Sequence, residues 1–466
     1  MSSDILNVRV VSIRATERPV VMRLPFQFGD TVVTETSEAY VEVTLEHDNR
    51  VTVGRSAQLM VPRWFDKRAD QTNADTVDTL RLSVTYACTL AVGMTGTIAD
   101  LCAHIRDAVQ GRMPVMTPRL ASGFGPALVE MALIDALCLA VDTPFFEGAR
   151  RDIFGLSQQS ETGLTGNAIV TGLETIKPKW DVQMRHTIGF DAPLTANDLT
   201  TAPPANGPVT LQDVISETGI TAFKIKLKGD VGADINRLCA IQPHLTAASE
   251  YVVTLDANEQ YAPDAFEAFL GAFRTQRALQ ELRSATLFVE QPFAREIANE
   301  TVVSDAKFDL PLMIDESDDS DGAFAQALEL GWSGTSVKSC KGVLRSLLNY
   351  CRVKDQESKG REVFLSGEDL TCQPGLCLQQ DTLMAAAIGV SHAERNGHHF
   401  AGGMQGASIA EIERAVDQHS DLYRQLGGML RLRISNGKIG FSSLEKSGFG
   451  GSKLIDTASD ALIREC

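Results

Sequence analysis

Long apolar stretches are missing from this sequence. No run of about 18 apolar residues occurs, so no membrane span is expected. Positive charge is also scarce: 43 Lys and Arg against 60 Asp and Glu leave a formal net charge of −17. Nucleic acids and anionic membranes need a basic surface, and neither is expected as a partner. The nine cysteines (Cys88, Cys102, Cys138, Cys239, Cys340, Cys351, Cys372, Cys377 and Cys466) contain no CxxC pair and are odd in number. A zinc site and a disulfide framework are therefore disfavoured, and free thiols in a reducing cytosol are expected. The opening MSSDILNVRVVSIRATERPVV has no basic segment leading into an apolar one. No secretory signal is expected, and the cytoplasm is the expected location.

The length, 466 residues, predicts two or three domains. VRVVSIRATE and EAYVEVTLEHDNRVTV alternate like strands, with HDNR as a turn. Between them RLPFQFGDTVVTE, holding Pro25, Phe26, Phe28 and Gly29, reads as a loop placed to make contacts. From about 95 to 155 the pattern is helical, as in GPALVEMALIDALCLAVDTPF. Residues 1–155 thus read as an α+β domain. Residues 156–210 are richer in Gly, Pro, Ser and Thr and read as a connecting or inserted segment containing the strand QMRHTIGFDAP. From 211 to 425 helical segments alternate with short strands: AFKIKL, YVVTLDAN, TLFVEQP, LPLMIDES, GTSVKSC, REVFLSGE and SHAERNG. With HTIGF this makes eight units, enough to close a parallel barrel. In the remaining segment, 426–466, MLRLRISNGKIGFSSL reads as a hairpin turning at Asn436-Gly437 that leads back to the first domain.

The strands end in charge. Lys224 and Lys226, Asp256 and Asn258, Glu290, Asp315 and Glu316, and Lys338 close five successive strands. Lys226, Asp256, Glu290, Asp315 and Lys338 follow one another at 30, 34, 25 and 23 residues, each gap fitting one strand–helix unit. In a parallel barrel the C-terminal strand ends share one face, so these residues should converge. Three hard carboxylates without Cys or His partners suit Mg²⁺ or Mn²⁺. Lys226 and Lys338, four strands apart, should face each other across the barrel, with Lys224 as the neighbouring cation that lowers the pKa of a lysine base. N-capping is the bland alternative for the carboxylates, and Lys341 is a rival to Lys338. Glu316 is placed to cap a helix or hold a lysine. Lys228 has no role beyond reaching solvent. His186, His392, His398 and His399 read as surface or core histidines, although His398-His399-Phe400 follows the last strand and is placed to line the pocket. Trp332 reads as packing.

FKIKLK, DANEQY, VEQP, IDES and VKSCKG resemble the enolase superfamily, and within it the muconate-lactonizing-enzyme subgroup rather than mandelate racemase itself. VEMALIDALCLAV and NGKIGFSSLEKSGFG extend the likeness to the rest of the chain. The resemblance implies an N-terminal α+β capping domain on a modified TIM barrel, (β/α)7β. It implies Mg²⁺ on Asp256, Glu290 and Asp315 and lysine bases at Lys226 and Lys338. Asn258 and Glu316 would touch the substrate or support the site. Phe26 and Phe28 read equally as plain core or as part of the loop that covers the substrate in that family. Glu368, in LSGEDL, is a further candidate that the resemblance does not place. The implied reaction is abstraction of a proton α to a carboxylate, giving an enediolate stabilised by Mg²⁺ and the ammonium groups. A racemase or epimerase of an amino-acid or dipeptide-like acid is expected first. A cycloisomerase or β-elimination lyase, of the o-succinylbenzoate synthase kind, is the alternative on the same site. An inactive relative acting as a binding protein and a Schiff-base lyase are rivals of other classes. A small carboxylate substrate and a homo-oligomer are expected partners. The chain departs from the family in apparent insertions near 60–115 and 156–210. It also lacks an Asp-x-Asp near the eighth strand and a His–Asp dyad.

Overall fold

A computed structural model describes residues 4–159, 162–204, 207–246, 250–303, 308–451 and 455–466. The N-terminal domain is an antiparallel sheet backed by helices. Strands β1 (Val8–Phe28), β2 (Thr31–His47) and β3 (Arg50–Leu59) pair in chain order, and the short β4 (Thr95–Gly96) adds to β1. Helices α1 (Asn73–Ala91), α2 (Ile98–Arg112) and α3 (Arg119–Ala140) pack beneath. Thr72 and Asp75 form a capping box that starts α1, and the Thr97 hydroxyl accepts from Asp100 N at the start of α2. Such caps satisfy amide groups that a helix leaves unpaired. A side chain at Gly54 would lie 2.2 Å from the Ala132 carbonyl oxygen of α3, so only glycine permits this helix–sheet approach. Helix α3 is long and apolar enough to cross a membrane, with a mean hydropathy of 1.6. However, 89% of that window is buried inside the protein, as in a core helix.

Two expectations change here. RLPFQFGDTVVTE is not a loop. Strand β1 runs on through Phe28, the chain turns at Gly29-Asp30, and β2 leaves at Thr31. The register shifts between Val21 and Phe26, and a bulge of this kind re-aims side chains. Phe26 and Phe28 consequently point inward, both buried. The region after 60 also does not wait until 95 to become helical, because α1 begins at Asn73.

The second unit is a closed barrel of eight parallel strands: β5 (Asp181–Ile188), β6 (Ala222–Lys226), β7 (Val252–Asp256), β8 (Thr286–Glu290), β9 (Leu312–Ile314), β10 (Gly334–Val337), β11 (Phe364–Gly367) and β12 (His392–Glu394). β12 closes on β5. The fold is thus the expected modified TIM barrel with an N-terminal cap. On the outer face Phe223, Ile225, Val253, Leu255 and Val289 are fully buried, each such burial contributing about 1.5–3 kcal/mol. Beyond the barrel, β13 (Tyr423–Leu426) and β14 (Met429–Leu432) form the hairpin, turning at Gly427-Gly428. Asn436 and Gly437 do make a tight turn, with φ of 48° and 72°, but β15 (Lys438–Gly440) pairs with β5 instead of β14. The return to the cap is made by β16 (Ala461–Glu465) on the edge of β1.

Candidate active site

The parallel register sets the site. Lys226 pairs with Asp256, Asp256 with Glu290, and Glu290 with Met313, two residues before Asp315. The C-terminal ends of four consecutive strands therefore meet at one level. On β6 alternate residues face opposite ways, so Phe223 and Ile225 meet the helices while Lys224 and Lys226 point into the barrel, both buried. Lys228, past the strand end, is exposed, its Nζ 5.1 Å from the centroid of the Phe190 ring.

Lys224 occupies the middle. Its Nζ lies 2.9 Å from Asp256 Oδ2, 2.8 Å from Glu290 Oε2, 2.7 Å from Glu368 Oε2 and 3.1 Å from Glu394 Oε2. Burial opposes its charge, but the four carboxylates dominate and raise its pKa well above the ordinary lysine value. Lys224 is therefore an ammonium held inside a carboxylate cage, and it shares Asp256 Oδ2 with Lys226. Lys226 Nζ lies 2.5 Å from Asp256 Oδ2. Across the barrel Lys338 Nζ lies 2.6 Å from Asp315 Oδ2 and 4.4 Å from the Trp64 ring centroid. Burial opposes its charge too, but Asp315 raises its pKa well above the ordinary value. Lys341 sits behind the same carboxylate, donating to the Asp315 carbonyl at 2.6 Å and to Ser336 Oγ at 2.7 Å. Lys338, and not Lys341, lines the pocket with Lys224, Lys226, Asp256 and Asn258.

Phe26, Phe28 and Trp64 from the cap cover this pocket, whose free volume is about 10 Å³. That is room for about one water. Lys67, also from the cap, reaches Glu259 at 2.5 Å and Glu316 at 3.1 Å. Glu316 thus holds a lysine, and Asn258 N donates to Asp256 Oδ1 at 2.9 Å. Glu368 is part of the cage and is gripped by Arg185, which also donates to Gly367 O at 2.9 Å and to His392 Nδ1 at 2.6 Å. Trp332 is buried against Phe293. The residues that sequence reasoning missed are Glu394, Arg185, Trp64 and Lys67. Glu394 and Arg185 carried a usable signal, being charged residues inside the eighth and first strand segments. The two cap residues had none.

Among the described residues no group of three His, Cys, Asp or Glu side chains is arranged to hold a metal ion. The reason is visible: Asp315 is turned to Lys338 and Lys341, and Lys224 stands between Asp256 and Glu290. The donor chemistry nevertheless fits a hard divalent cation. Glu290 Oε1, Glu316 Oε2 and Asn258 Oδ1 are buried and accept no hydrogen bond, and Glu290 Oε2 has only its ion pair with Lys224. Burial, with Asp256 and Glu368 nearby, drives the Glu290 pKa well up. Asp256 is also buried, yet its pKa is lowered because Lys224 and Lys226 both face it. A buried carboxylate short of donors calls for more positive charge, and Lys224 is already a stand-in cation at that position.

Residues 209–340 match the family model described as enolase C-terminal domain-like. No curated protein matches the sequence. Solved structures do. A mandelate racemase/muconate lactonizing protein from Herpetosiphon aurantiacus superposes with a TM-score of 0.61 at 17% identity, over 95% of this chain and 98% of that one. Muconate lactonizing enzyme from Pseudomonas fluorescens, complexed with muconolactone, gives 0.59 at 14%, over 95% and 96%. A dipeptide epimerase from Enterococcus faecalis V583, complexed with Mg and the dipeptide L-Leu-L-Tyr, gives 0.58 at 14%, over 95% and 99%. At such identities the likeness establishes the fold, and the chemistry rests on the side chains described above.

Proposed function

We propose that this chain, whose capped barrel belongs to the enolase superfamily, abstracts a proton α to a carboxylate, most simply as a racemase or epimerase of an amino-acid or dipeptide-like acid. One observation carries the reading: Lys226 and Lys338, on the second and sixth barrel strands, line the same covered pocket, each on its own aspartate. Two lysines on opposite sides of one carbon, one as the neutral amine and the other as the ammonium, allow a proton to leave one face and arrive on the other. Lys338, kept as an ammonium by Asp315, is set to deliver a proton, and Lys226 to remove one. For the opposite enantiomer the roles exchange. Lys224 stays charged within its cage and stabilises negative charge that develops on the substrate carboxylate. Phe26, Phe28 and Trp64 keep water away, which strengthens these interactions. Asp256, Glu290 and Asp315 are the residues that would hold Mg²⁺, which when bound supplies Lewis-acid polarisation of the substrate carboxylate.

A second reading has its own support. Lys338 is pinned between Asp315 and the Trp64 ring, as suits an ammonium that stabilises charge without exchanging its proton. Lys226 alone would then act as base, in a cycloisomerisation or β-elimination. Single enantiomers followed in deuterated water separate the two. With two bases, the inverted product carries deuterium at Cα from the first turnover. With one base, no inversion occurs. Lys226→Ala and Lys338→Ala should each abolish racemisation, and exchange at the wild-type rate in both would refute the proposal.

A further inference from the structure

The pocket between the lysines has about 10 Å³ free, too little for any substrate beyond its reacting atoms. Directly beside it lies a cavity of about 230 Å³. The two share a wall. Phe26 faces the lysine pocket, and its ring lies 4.8 Å from that of Phe400, which lines the cavity. Thr187 also lines the cavity and donates to Glu394 of the cage. The hairpin tip of β1 and β2 divides the two spaces, with Phe26 and Phe28 on one side and Leu24, Pro25 and Gln27 on the other.

The chemistry of the cavity is one-sided. Its walls are mainly apolar, including Leu24, Pro25, Ile188, Val209 and Phe400. Among the described lining residues only Asp191 is a carboxylate, and it is exposed to solvent. The other titratable groups are His186 and His399, both buried, with ring centroids 4.9 Å apart. Burial and the neighbouring imidazoles lower both pKa values, that of His186 to about 3, so both rings are neutral near pH 7. His399 Nδ1 is buried without a hydrogen-bond partner. Such an atom is costly to leave unmatched and marks the place for one polar group on an otherwise apolar guest. A charged group entering would meet no buried counter-charge, since the one lining carboxylate, Asp191, lies out in solvent.

We propose that this cavity receives the substrate's side chain, and that this side chain is an uncharged aromatic or branched apolar group with at most one hydrogen-bonding function, directed at His399. The inference rests on the proton-abstraction reading for the position of the α-carbon, and it narrows the substrate class to apolar α-substituted acids. An apolar cavity of about 150 Å³ is enough for benzene, so 230 Å³ accommodates a substituted ring.

Two measurements test it, both on the full chain with Mg²⁺ supplied. The first is calorimetric binding of p-cresol, an uncharged ring with one hydroxyl, against 4-methylbenzylamine, its charged counterpart. The cresol should bind at least tenfold more tightly. Ala192→Phe and Val209→Trp, which fill the cavity from different walls, should each weaken cresol binding at least tenfold. The second is α-proton exchange in deuterated water for N-acetyl-phenylalanine and N-acetyl-leucine against N-acetyl-aspartate and Nα-acetyl-lysine, where the apolar pair should lead in kcat/KM at least tenfold. Equal rates for charged and apolar side chains would overturn the proposal. So would cresol binding that is absent, or that both filled variants leave unchanged. If cresol binding behaves as expected while none of the four acids exchanges, the cavity assignment stands and the proton-abstraction reading falls.

Discussion

Substituting methionine along the β6 stripe gives a graded stability series. Lys224→Met removes a cation shared by four carboxylates, all of which are buried. Lys226→Met removes one of two ammonium groups on Asp256 and leaves Lys224 beside that carboxylate. Lys228→Met removes only an exposed ammonium lying over the Phe190 ring. Breaking one buried pair costs about 3–5 kcal/mol, because the surviving charge stays desolvated. Lys226→Met leaves Asp256 paired and should cost only the lost charged hydrogen bond, about 1.5–3 kcal/mol, Lys224→Met about 3–5 kcal/mol or more, and Lys228→Met less than about 0.5 kcal/mol. For a chain of this length 1 kcal/mol moves Tm by about 1 °C. The order should thus show as shifts of about 1.5–3 °C, about 3–5 °C or more, and under about 1 °C. The deficit at Lys224 should depend on pH. Without the ammonium, burial and mutual repulsion hold the folded-state carboxylate pKa values above their unfolded values. A raised folded pKa gives stability that is present at low pH and lost as pH rises through it. The Lys224→Met deficit should therefore widen between pH 5 and pH 8, read by chemical denaturation in EDTA. A Lys224→Met protein no less stable than Lys228→Met at pH 8, or a deficit that narrows with rising pH, would refute the cage.

Other outcomes are expected. Asp256→Asn should weaken Mg²⁺ binding in calorimetry at least tenfold, and unchanged affinity would remove Asp256 from the metal-holding set. Lys67→Met, which frees Glu316 and Glu259 from the cap, should raise KM with a smaller change in kcat, and Lys67→Arg should recover most of it. An equal loss in both constants from Lys67→Arg would show that Lys67 is not a cap-to-barrel tether. His392 accepts a hydrogen bond from Arg185 at Nδ1, and burial beside that guanidinium lowers its pKa to about 3. A depressed folded pKa gives stability that is present above the unfolded value near 6.5 and lost as pH falls. Relative to His392→Gln, the wild type should therefore lose about 1.4 kcal/mol between pH 7.5 and 5.5. No difference in slope between the two would contradict a neutral His392.

Much of the site was legible because a parallel barrel places each functional side chain at the same point of a repeating unit. Lys226, Asp256, Glu290, Asp315 and Lys338 could be aligned from spacing alone, and register brings them to one level. Glu394 was harder to see because its strand is three residues long and its pattern weak. Trp64 and Lys67 could not be found this way, since they come from a segment with no period linking it to the barrel. The hairpin mistake has the same origin. Asn436-Gly437 does adopt the expected turn, yet β15 finds β5 before β14, a choice made by neighbours distant in the chain.

The stripe on β6 divides the two kinds of information. Alternation alone determines that Phe223 and Ile225 share one face and Lys224, Lys226 and Lys228 the other, because a strand turns each successive side chain over. Only the closed barrel decides what each lysine meets. Lys224 lies deepest and is shared by carboxylates from four strands, Lys226 sits at the rim on Asp256, and Lys228 clears the barrel into solvent. Charge interactions fall off over a few ångströms and depend on burial. Three lysines that look identical in sequence therefore become a caged cation, a candidate base and a surface residue.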